Sequence, residues 1–129
     1  MCNIYDGNPS EVFVAHDRTA RKDHQCTECG RTIARGERYR YTFTVTEGRA
    51  ETDKTCAHCM VGRGWMLENC GVYYLGHLMS DMLEHAEEYP DLKDGLLEIV
   101  AGMRRKWRAF EGDGLMPVPA MPEGIDARS

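Results

Sequence analysis

No apolar run in this sequence approaches the ~20 residues that a membrane-spanning helix needs, so no membrane partner is expected. The opening stretch, Met1 to Gly7, carries neither a basic region nor an apolar segment, and no secretory signal is expected either. Cations are in deficit: 16 Lys and Arg stand against 21 Asp and Glu, a net charge of −5, which excludes a wholly cationic nucleic-acid binder. Serine is scarce, and Ser10, Ser80 and Ser129 all lack a nucleophile-elbow setting. No histidine lies between His24 and His58, where a His-Asn-His type nuclease would carry one on its hairpin. There is no internal repeat and no low-complexity block.

The chain does have cysteine at telling positions. Of six, four form the pairs Cys26-Thr27-Glu28-Cys29 and Cys56-Ala57-His58-Cys59. Two C-x-x-C pairs at this separation can each grip one metal ion from a tight turn. Four thiolates complete a tetrahedral Zn²⁺ shell with no open position, so the expected cofactor is structural Zn²⁺ rather than a catalytic ion. Rubredoxin-like iron is the rival, but Met60 rather than glycine follows the second pair and a helix is expected to start there. Without a secretion signal, metal binding in a reducing cytoplasm is favoured over disulfides. Cys2 and Cys70 read as a frayed terminal thiol and a small buried residue.

At 129 residues, 42% hydrophobic and 29% charged, the chain suits a small zinc module with a helical part. Glu11 to Ala15 reads as a short strand. Arg38 to Thr46 alternates, with Tyr39, Tyr41, Phe43 and Val45 on one face and Arg38, Arg40, Thr42 and Thr44 on the other, which predicts a strand. Glu47-Gly48 supplies the turn back to the second cysteine pair. A helix is expected from Cys56 to about Asn69, a second from about Leu75 to Pro90, and a third from Leu92 to Phe110 with Asp91 as its N-cap. Gly95 and Gly102, seven apart on that third helix, mark a close approach or a weak helix. Proline at 117, 119 and 122 predicts an extended tail. The expected class is α+β. A lead-in covers 1–15, the finger 16–70, a helical hairpin packed on the finger 71–112, and the tail 113–129.

The stretch Cys26-x-x-Cys29-Gly30-Arg31-Thr32-Ile33-x-x-Gly36-Glu37-x-Tyr39 resembles the opening of LIM-like treble-clef zinc fingers. That stretch, with helices carrying Gly102-Met103-Arg104-Arg105-Lys106-Trp107-Arg108, is also similar to small zinc-finger proteins of bacteriophages and prophages. The likeness covers about residues 18 to 119. It implies a virus-encoded accessory protein in the host cytoplasm.

Two basic groups are candidates for contact with a partner: Arg18, Arg21, Lys22, Arg38 and Arg40 on the finger, and Arg104, Arg105, Lys106 and Arg108 after the third helix. Trp107 lies on the apolar stripe and is expected in the core. His58 is expected to be exposed and unliganded. His77, Asp81 and His85, spaced by four, are expected to form a solvated face rather than a second metal site. No catalytic residues are expected. The reading is a non-enzymatic macromolecule-binding module with a host protein as partner; the alternative is a DNA- or RNA-binding protein using the two basic groups.

Overall fold

The computed structural model describes residues 12–70, 76–109 and 114–123. The expectations for the lead-in over 1–10 and for Cys2, Gly71, Leu75, Phe110 and Gly112 lie outside them. The architecture is mixed α and β. Strand β1 (Val12–Thr19) leads through a short antiparallel pair, β2 (His24–Gln25) and β3 (Thr32–Ile33), into the hairpin β4 (Arg38–Thr46) and β5 (Arg49–Cys56). Helices α1 (Ala57–Asn69), α2 (Leu78–Glu88) and α3 (Lys93–Arg104) follow, with a 3₁₀ turn at Pro90–Leu92.

The larger sheet has the order β1-β4-β5 and is antiparallel throughout. Its turn is Glu47-Gly48, both at positive φ (53° and 76°), a primed turn that matches the twist of the strands. β1 extends to Thr19, well beyond the short strand expected, because all eight of its residues find partners along β4. The alternation along β4 is real. The side buried to completion is the threonine side, where Thr42 is fully buried and accepts a hydrogen bond from Arg63 of α1.

Against that side α1 packs, and behind it α2 and α3 form an antiparallel pair. Their apolar core is Trp65, Met66, Leu78, Met82, Leu96, Ile99 and Met103. A Cβ on Gly62 would stand 2.9 Å from Met82 Sδ and 3.3 Å from Ile99 Cγ2, so the missing side chain sets the closeness of the three helices.

The third helix is shorter than its sequence predicts. It ends at Arg104. Lys106 and Trp107 then take left-handed φ values of 54° and 60°, and their N–H groups bond back to Met103 O and Gly102 O. This is a Schellman closure built without glycine. Its start also differs: the 3₁₀ turn precedes it, and Leu92 rather than Asp91 occupies the N-cap. Trp107 is fully buried as expected, but it reaches the core by folding back over Gly102, not from a helical stripe. The two glycines of α3 admit Trp107 at Gly102 and Pro122 of the extended tail at Gly95; no other helix lies there among the described residues.

Candidate metal centre and basic sheet face

Cys26 and Cys29 sit on the tight turn between β2 and β3, and Cys56 and Cys59 on the end of β5 and the first turn of α1. All four sulfurs lie within 4.8 Å of one another, and Cys29 Sγ stands 4.0 Å from Cys56 Sγ. A tetrahedral ion with metal–sulfur bonds of about 2.3 Å has sulfur–sulfur edges of about 3.8 Å, so the quartet fits one metal ion. Gly30, at φ 81°, lets the chain turn so that its N–H bonds Cys26 O at 2.9 Å. The Cys56 N–H donates to Cys26 Sγ at 3.4 Å.

Electrostatics make the same demand. The metal-free thiols cannot all ionise side by side. Hydrogen bonds from the neighbouring thiols, Cys29 first, hold Cys26 down at about 7, and Cys26 likewise pulls Cys56 down. The same contacts with Cys26 push Cys29 and Cys59 up. Cys26, Cys29, Cys56 and Cys59 would hold a metal ion together, and its positive charge would let all four ionise as thiolates.

The residues inside each C-x-x-C pair tie the centre to distant segments. Glu28 accepts from Gly76 N (2.9 Å) and Leu78 N (3.1 Å), anchoring the start of α2. Burial raises its pKa against the pull of those two donors. His58 is buried, not exposed: its Nε2 lies 2.6 Å from Met116 O of the tail and its Nδ1 3.4 Å from an Arg31 nitrogen. The tail covers it, which is the reason the expectation fails. Arg31, also buried, forks onto Glu37 at 2.8 and 3.2 Å. Trp107 donates its indole N–H to Cys59 Sγ at 3.3 Å. Spacing marks none of these supporting residues as a site: apart from Glu37, six positions from Arg31, their partners lie 27 to 58 positions away.

The row His77, Asp81 and His85 does not form a solvated face. Asp81 and His85 are buried, His85 meeting Trp65 edge-on at 5.7 Å. Its Nδ1–H donates to Asp81 O, and its Nε2 lies 2.8 Å from Cys70 Sγ. α2 turns this side toward α1, leaving only His77 exposed. Cys70 is half-buried at the end of α1 rather than fully buried.

The basic candidates separate. Arg18, Arg21, Lys22 and Arg38 line one open concavity of about 1240 Å³, together with Lys54 and Tyr41. Arg40 is not among the residues lining that concavity and pairs with Asp17 at 2.8 Å. Lys106 and Arg108 border a smaller hollow with Gln25 and Gly30. Arg105 is turned inward, with Nε on Arg108 O and a terminal nitrogen 3.3 Å from Met116 Sδ, while Arg104 is exposed at the end of α3. No described helix is long and apolar enough to cross a membrane. No protein-family model, curated protein or solved structure matches the chain.

Proposed function

We propose that this protein is a non-enzymatic binding module whose treble-clef-like finger is held by one structural Zn²⁺, and that it binds nucleic acid on the open face of its sheet. The observation that carries this reading is the concavity over β1, β4 and β5. Five cations border it, and among the described residues its one carboxylate, Asp17, is already committed to Arg40. A chain of net charge −5 that sets five of its 16 cations around one concavity is arranged to meet a polyanion there. The quartet supports the zinc assignment, because four sulfurs suit Zn²⁺ and leave no position for substrate.

A second reading has its own support. β1 is an edge strand, and Val12, Phe13 and Val14 are 41 to 57% exposed. An edge left open among the described residues, with apolar side chains, suits strand addition by a protein partner. With the phage-type resemblance, that partner would be a host protein in the host cytoplasm.

The test is capture of ligands by tagged, zinc-loaded protein from bacterial lysate, with and without nuclease. Nucleic acid recovered in the untreated half and lost at higher salt supports the first reading. A protein retained equally in both halves, with no nucleic acid in either, moves the assignment to the edge strand.

A further inference from the structure

The sheet face is graded in cross-strand rows. Arg18 stands beside Tyr39; the next row is His16, Tyr41 and Lys54; then Val14, Phe43 and Thr52. Flat groups follow one another along β4 at every second residue, a spacing of about 7 Å. The Arg18 guanidinium lies over the Tyr41 ring at 3.6 Å, with His16 at 5.4 Å from the same ring. His24 stands 5.3 Å from Tyr39. Cations flank this column on both sides, Arg21 and Lys22 beyond the end of β1 and Lys54 on β5. Neither Arg21 nor Lys22 makes an ion pair with a described residue.

We infer that the ligand of this face is single-stranded nucleic acid, its phosphates held by the flanking cations and its bases stacked on exposed Arg18 and His16 and on half-buried Tyr41 and Phe43, with Tyr39 buried beneath the end of the column. The inference rests on the nucleic-acid reading above and narrows it. Stacking on a flat side chain requires an unpaired base, because a duplex keeps the faces of its bases inside. The surface is also a shallow sheet, with α1 on its opposite side, so among the described residues no helix is presented there to a major groove.

The experiment is fluorescence anisotropy with full-length, zinc-loaded protein and labelled 12-nucleotide oligo-dT and oligo-U, beside a 12-base-pair duplex. Single strands should bind at least 10-fold more tightly than duplex. With three or four phosphates held, affinity should fall roughly 20- to 50-fold between 50 and 200 mM salt. The double substitution Arg21→Glu and Lys22→Glu should cost at least 10-fold and flatten the salt dependence. Both side chains are exposed, so the fold is not at risk. Tyr41→Ala should weaken single-strand binding alone, and Tyr41→Phe, which keeps the ring, should bind like the parent. Equal or tighter duplex binding, or indifference to Tyr41→Ala, overturns the single-strand inference and leaves the nucleic-acid reading standing. Absence of binding to every probe overturns both.

Discussion

The indole N–H of Trp107 donates to Cys59 Sγ across 3.3 Å, joining the residue that closes α3 to the last cysteine of the quartet. A hydrogen bond to a thiolate ligand disperses its charge and orients it, so it belongs to the metal's hold as much as to the core. Trp107→Phe keeps a buried ring and removes only the donor. It should lower metal affinity about 10-fold or more, measured by competition with a chelator. An unchanged affinity would show that the bond adds nothing to the centre.

Gly102 is the counterpart of that contact. A Cβ placed there would lie 2.2 Å from Trp107 Cζ3, inside a fully buried ring. Gly102→Ala should therefore destabilise by about 1–3 kcal/mol through overpacking, outweighing a helix-propensity gain of about 1 kcal/mol. Gly64→Ala meets only the mobile end of Met121, at 3.0 Å, and should be neutral or slightly stabilising. Urea midpoints at constant slope decide it; equal midpoints for the two variants would refute the packing argument.

The Arg31–Glu37 fork has a pH signature. The Arg31 hydrogen bond, set against partial burial, holds the Glu37 carboxyl below its ordinary value of 4.5. A depressed carboxylate contributes stability that is complete above the unfolded value and is lost as pH falls through the folded one. Glu37→Gln should thus cost about 1–2 kcal/mol at neutral pH, with the gap to the parent closing as the pH drops below about 4.5. A gap that stays constant from pH 7 downward would contradict this origin.

Much of the cysteine-bearing half was legible in the sequence because its signals are local. The cysteine spacing, the glycine after Cys29, the alternation of β4 and the Glu47-Gly48 turn each act within a few residues. What escaped was set by distant partners. His58 looks like an exposed spacer until Met116 of the tail covers it. His85 looks solvated until α2 packs it on Trp65. Alternation on β4 separates two faces without telling which is covered, and Arg63 makes the threonine side the buried one. The end of α3 was hidden because Lys106 occupies the left-handed closing position where glycine is the usual marker.

Reconstitution with metal tests the central claim most directly. Metal-stripped protein is titrated with Zn²⁺ while tertiary structure is followed by near-UV circular dichroism and amide NMR. A structural zinc contributes on the order of 10 kcal/mol, comparable with the whole stability of a domain this size. Native signals should therefore appear in a single transition complete at one ion per chain, and Cys26→Ser should abolish it. A native β4–β5 hairpin and buried Trp107 in the stripped protein, unchanged by Zn²⁺ or by Cys26→Ser, would contradict a fold built around the cysteine quartet.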